Sequence, residues 1–188
     1  EIYNFFQNRK RLLHLLFKKQ ILIIDTYIFK KIYYQSDRHF LHFFYPELKP
    51  SISLEKREAI EKELLAIDSK IFDTFEEKRL KGQNDSYICE LIRNDSIEKF
   101  TDYVNFTNFP ISEKVPFSLF ETNRLLVKSA PTVIEYAAFF GSINICKYLI
   151  LKEVPFDDSI AKFVINGRNI DLIHIFEGKH VEMKSLEC

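Results

Sequence analysis

The 188 residues contain no tryptophan, one methionine, four glycines, six prolines and three cysteines. So little glycine and proline disfavours folds that need many tight turns. Without tryptophan, the 19 phenylalanines and nine tyrosines must fill the core with rings. Cys89, Cys146 and Cys188 lie far apart and include no C-x-x-C pair, so they provide neither a disulfide framework nor a zinc signature. A reducing compartment is the default.

Net charge is missing as well. The 27 basic residues balance 27 acidic ones, which is not the overall charge of a typical nucleic-acid binder. The charge is uneven, however: residues 1–45 carry eight Lys or Arg against three Asp or Glu. No uninterrupted apolar run is present either. The most apolar stretch, Leu12 to Phe29, is broken by Lys18, Lys19 and Asp25, whereas a membrane span needs about 20 apolar residues. Glu1 to Phe6 lack the order of a signal peptide, so an intracellular, cytoplasmic location is expected. The sequons at Asn84, Asn94 and Asn105 are then expected to go unused. The first residue is not Met, and we expect a piece of a longer protein.

Catalytic motifs are a further absence. Glycines at 82, 141, 167 and 178 cannot build a phosphate-cradling loop, and no H-E-x-x-H, G-x-S-x-G or calcium-loop pattern occurs. His39 and His42 have a spacing that could face one metal, but no Cys lies nearby to complete a recognised ligand set, and we expect the edge of an aromatic helix instead. Cys146 falls in an apolar column and is expected to be a small core residue. Cys89 and Cys188 have no local His or acid in a nucleophile arrangement. No enzyme activity, cofactor, metal or small-molecule substrate is expected.

What the chain does contain is helical periodicity. Ile21, Ile24, Ile28 and Ile32 step by three and four, as one stripe of a helix does. Leu12, Leu13, Leu15, Leu16 and Phe17 precede it, and Phe40, Leu41, Phe43 and Phe44 suggest a short helix stopped by Pro46 and Pro50. Ser53 opens a long helix with Ile60, Leu64, Ile67, Ile71 and Phe75 on its buried stripe and a Glu58–Lys62 pair on its wet side. Residues 81–85 read as a loop, which gives an N-terminal helical region over 1–81 with a long connecting helix.

After that loop the sequence repeats. Ser86, Thr132 and Ser159 are placed as three helix N-caps, and Thr132 has Glu135 for a full capping box. Apolar pairs follow at Leu91-Ile92, Ala137-Ala138 and Val164-Ile165, then second caps at Ser96, Ser142 and Asn169. Ile97, Ile143 and Ile170 come next, followed by Phe100, Cys146 and Ile173, then Tyr103, Leu149 and Phe176. These are three copies of one helix–turn–helix unit, over about 86–104, 132–151 and 159–178 of the region 85–180. An insert spans residues 104–131. His180 onward reads as the start of a further turn, so further repeats are expected in the intact chain.

The middle copy, Thr132-Val133-Ile134-Glu135-Tyr136-Ala137-Ala138-Phe139-Phe140-Gly141 with Ile143, Ile145 and Leu149, resembles the ankyrin repeat. More narrowly, with Asp85-Ser86-Tyr87-Ile88-Cys89 and Phe75-Glu76-Glu77-Lys78-Arg79, it resembles a large class of protist ankyrin-repeat proteins with a divergent helical region before the repeats. It departs from the family in having Val133 for the usual Pro and Glu135 for the usual His, and in caps spaced 46 and then 27 residues apart. Gly141 is matched by Asp95 and Arg168, so those turns are expected to rely on Asn94 and Gly167.

The resemblance implies an all-α fold, a helical region followed by a short ankyrin-like α-solenoid of stacked repeats. It also implies a non-catalytic scaffold or adaptor that binds a protein partner on its concave surface, where Phe139 and Phe140 would lie, with Arg93, Asn94 and Asn166 at matching positions. The alternative is binding of nucleic acid or an anionic membrane surface by the basic stretch Arg9-Lys10-Arg11, Lys18, Lys19, Lys30 and Lys31. These basic residues are expected to be a solvated helix face, and neither partner is the favoured one.

Overall fold

A computed structural model of the chain describes residues 2–179. Cys188 and the turn expected from His180 onward lie outside the described residues. The fold is all-α: the described residues form fourteen α-helices and no strand, apart from an isolated bridge between Lys114 and Thr132. They divide into two units, residues 2–84 with Ser118–Val127, and Asp85–Phe117 with residues 128–179.

In the first unit, α1 (Ile2–Phe6), α2 (Lys10–Lys18), α3 (Thr26–Lys30), α4 (Arg38–Phe43) and α5 (Tyr45–Leu48) precede α6 (Leu54–Ile67) and α7 (Phe75–Lys81). The expected stripe from Ile21 is not one helix. Gln20 turns left-handed at φ 56° and closes α2, and the Asp25 carboxylate accepts from the Ile28 amide at 2.7 Å and starts α3 afresh. Ile28 and Ile32 are buried, whereas Ile21 is exposed. Nor is the connecting helix continuous. Asp68 adopts an extended conformation and accepts from the Lys70 amide at 2.9 Å, a local turn that ends α6. Ile71 and Phe75 stay buried all the same, carried on a 3-10 turn and on α7.

Rings fill this core, as the composition predicts. Phe43, Phe44 and Tyr45 are almost wholly buried, and Phe44 packs against Phe17, Phe40 and Phe43 at centroid distances of 5.7, 4.8 and 5.0 Å. Each such pair contributes roughly 0.5–1.5 kcal/mol beyond its buried area. Part of the insert completes the core. Leu119 and Phe120 are buried in it, Phe120 lies against Phe75 at 5.3 Å, and Thr122 donates from both its amide and its hydroxyl to the Gly82 carbonyl. The buried Glu121 accepts from the amides of Asn84 and Asn123.

The second unit holds three helix pairs: α8 (Tyr87–Arg93) with α9 (Ile97–Thr107), α11 (Val133–Phe140) with α12 (Ile143–Leu151), and α13 (Ala161–Gly167) with α14 (Ile170–Glu177). Before the second pair the chain runs through α10 (Arg124–Ser129). The first helices pack as α8 on α11 on α13, and the second as α9 on α12 on α14. Ala137 and Ala138 are fully buried where α11 meets α13, with no bulky side chain to hold the helices apart. Gly167 permits the approach: a Cβ there would sit 2.2 Å from the Ala138 carbonyl oxygen.

The turn within each pair corrects the expectation drawn from Asn94 and Gly167. Asp95 (φ 46°), Gly141 (φ 71°) and Arg168 (φ 52°) all take the left-handed conformation, so the same position turns the chain in each pair whatever residue it carries. The third cap is also moved. Asp157, not Ser159, caps the turn before α13 by accepting from the Ser159 amide at 2.8 Å.

Candidate interaction surface

Each pair reaches back to the one before it. The Ser142 hydroxyl donates to the Ile92 carbonyl at 2.6 Å, and Asn169 Nδ2 donates to the Gly141 carbonyl at 3.0 Å. The Asp95 carboxylate, at the turn of the first pair, accepts from the Asn144 and Ile145 amides at 3.1 and 3.0 Å, satisfying amides at the start of α12. Glu135 completes the capping box with Thr132 and also accepts from the Ser159 hydroxyl at 3.1 Å. The register of the three pairs is thereby held by polar bonds as well as by packing.

On this frame the ends of α8 and α11 bring four side chains together. Arg93 Nη1 donates to the Tyr136 hydroxyl at 2.8 Å, and the guanidinium lies over the Phe140 ring at 5.9 Å. Phe140 meets Tyr136 at 4.8 Å, and Phe139 meets Phe140 edge-on at 5.0 Å. Both Phe139 and Phe140 are half-buried, and Tyr136 is fully buried. Arg93, Phe139 and Phe140 are therefore one cluster. Asn94 is exposed at the end of α8, and Asn166 is exposed on α13 with its Nδ2 bonded to the Lys162 carbonyl of its own helix. The sequence reading passed over Tyr136. A polar aromatic one turn before a Phe pair is the signal that could have marked it.

Burial pushes the Cys146 thiol well up, and the Asp95 charge adds to this, so no thiolate is poised there. His42 points inward, with Nε2 2.8 Å from the Glu63 carboxylate, while His39 is exposed. Among the described residues no three His, Cys, Asp or Glu are grouped to hold a metal.

In the first unit a polar cleft of about 300 Å³ is bordered by Tyr3, Gln7, Lys31, Ser36, Asp37 and Phe40. Burial pushes the Tyr3 phenol up to about 12, and the Asp37 carboxylate is engaged with the Phe40 amide that it caps. No helix among the described residues is long and apolar enough to cross a membrane. No family model, curated protein or solved structure matches the chain.

Proposed function

We propose that the second unit is a short, divergent ankyrin-like α-solenoid that binds a protein partner and performs no chemistry of its own. Three observations support the repeat reading: successive helix pairs stack first helix on first helix, the left-handed residue recurs at one position, and the second-helix residues Ser142 and Asn169 bond back to the preceding pair. A single helix pair is too small to bury its own apolar face, so stacking is the physical requirement that such repeats satisfy.

The observation that carries the binding reading is the Arg93–Tyr136–Phe140–Phe139 cluster. Arg and aromatic residues dominate interface hot spots because each presents a large, stiff contact area. Here the guanidinium and rings are already fixed against one another, so little side-chain entropy remains to be lost on binding. The partner is a protein that inserts an apolar side chain beside Phe139 and Phe140.

The test is capture of partners at about 0.15 M and about 0.5 M salt, followed by binding of the purified partner to the parent chain and to a Phe139→Glu, Phe140→Glu variant that melts like the parent. Binding that persists at the higher salt and is lost in the variant is expected. Binding equal in parent and variant counts against this surface.

A further inference from the structure

The segment between α2 and α3 presents apolar side chains that the fold does not use. Gln20, Ile21 and Leu22 donate their amides to the carbonyls of Phe17, Leu16 and Leu16 at 2.9, 3.0 and 3.2 Å, so the loop leaves α2 in a fixed conformation. Its side chains then alternate. Leu22 and Ile24 pack onto the core of the first unit, whereas Ile21 is 64% and Ile23 75% exposed. Leu12 and Leu15, one turn apart on α2, are exposed as well.

In the sequence around this apolar tip cations outnumber acids, and the fold adds Glu76 beside Lys18. From position 9 to position 31 there are seven basic residues, and Asp25 is the single acid. The Asp25 carboxylate is taken up by the Ile28 amide. Three of the cations are engaged: Lys18 on Glu76 at 2.8 Å, Lys10 over the Phe43 ring and Lys31 over the Tyr27 ring. Arg9, Arg11, Lys19 and Lys30 are exposed.

We propose that residues 19–25 form a membrane-contact loop that docks the first unit on an anionic lipid surface, with Ile21 and Ile23 entering the acyl boundary and Lys19 and Lys30 meeting the headgroups. The complementarity selects this partner. An anionic bilayer offers hydrocarbon beneath a layer of negative charge, and the loop offers two apolar side chains flanked in sequence by the exposed Lys19 and Lys30. A nucleic acid offers the charge without the hydrocarbon and leaves two isoleucines unused. Because Leu22, Ile24 and the three amide bonds already fix the loop, it enters the boundary without ordering a mobile segment.

The test uses the full chain and vesicles of phosphatidylcholine with or without about 30 mol % phosphatidylserine, at about 0.1 M and about 0.5 M salt. Sedimentation with the anionic vesicles is expected, at least about tenfold weaker with the neutral ones and at the higher salt. An Ile21→Ser, Ile23→Ser variant should lose about tenfold in vesicle affinity with an unchanged melting temperature, because both side chains face solvent. Lys19→Ser with Lys30→Ser should lose severalfold. Since the sequence has no tryptophan, Ile23→Trp supplies a sole reporter, whose emission should shift to shorter wavelength on anionic vesicles and be quenched by brominated acyl chains. Failure to sediment with anionic vesicles, sedimentation indifferent to the double Ser change, or retention on RNA with no Trp shift on vesicles each overturns the proposal. None of these outcomes depends on the Phe139–Phe140 surface.

Discussion

Arg79 Nη2 donates to His14 Nδ1 at 2.5 Å and joins two residues 65 positions apart in the chain. On the other side of the ring, Nε2 lies 3.3 Å from Glu76 Oε1. The guanidinium is 1% exposed, pairs with Glu47, and lies between the rings of Phe43 and Phe75 at 5.2 and 5.7 Å. It therefore organises the first unit from within, joining α2, α4, α5 and α7.

Breaking a buried pair from one side leaves the other charge stranded. Arg79→Met should cost about 3–5 kcal/mol in urea unfolding, because the Glu47 carboxylate, mostly buried, loses its counter-charge. The double change Arg79→Met, Glu47→Gln should recover part of that loss. Additive costs in the double-mutant cycle would show that the two groups do not act together.

The contact of α13 with α11 sets a limit on side-chain size. Gly167→Ala places a methyl 2.2 Å from the Ala138 carbonyl oxygen, a backbone atom that cannot swing aside. A loss of roughly 1–3 kcal/mol is expected by thermal melting, as for overpacking elsewhere. Gly178→Ala, whose Cβ would find its nearest neighbour at 3.3 Å, should cost less and serves as the control.

Asp95 caps a helix that is not its own. Asp95→Ala should cost about 1–2 kcal/mol, because the Asn144 and Ile145 amides at the start of α12 lose their acceptor. Hydrogen exchange at those two amides should rise more than at the amides of α14.

Acid should weaken the first unit in two stages. Burial holds the His42 imidazole below its ordinary 6.5 despite the opposing pull of Glu63, and the Arg38 and His39 charges add to the lowering. The unfolded chain therefore takes up that proton first, and the contribution from neutral His42 is lost as pH falls through and below the ordinary histidine value. Glu63, held below 4.5 by its bond to Arg38, and Glu61, held below it by Lys49 and Tyr45, stabilise the fold above the ordinary carboxylate value. Their contribution goes as pH falls through their lowered values. Urea midpoints from about pH 8 to about pH 3 should show both stages. The first should vanish in His42→Gln.

Cys146 should resist alkylation in the folded chain, because its thiol is buried and pushed well up. Peptide mass spectrometry after iodoacetamide treatment should find Cys146 modified at least about 100-fold more slowly in native buffer than in urea. Rapid native labelling would mean that α12 opens readily.

The sequence by itself determined what neighbours three or four residues apart decide. Thr132 with Glu135 starts α11 and Asn169 caps α14, because caps act within one turn, whereas Ser96 and Ser142 precede α9 and α12 without a cap bond and the Ser142 hydroxyl goes to Ile92 instead. It placed Phe139, Phe140 and Arg93 at matching positions, yet the bond that ties Arg93 to Tyr136 spans 43 residues and has no local signal. The same holds for Arg79, which local pattern leaves on a wet face and tertiary packing buries on His14, Glu47 and two rings. The alternation of Ile21 and Ile23 outward with Leu22 and Ile24 inward is likewise set by the core beneath the loop, because the spacing of Ile21 and Ile24 alone also satisfies a helix. Periodicity states which residues can share a face. Which face is covered depends on partners brought from 40 to 65 positions away, such as Thr122 on Gly82 and Arg79 on His14, and those are chosen by packing and by the need to pair buried charge.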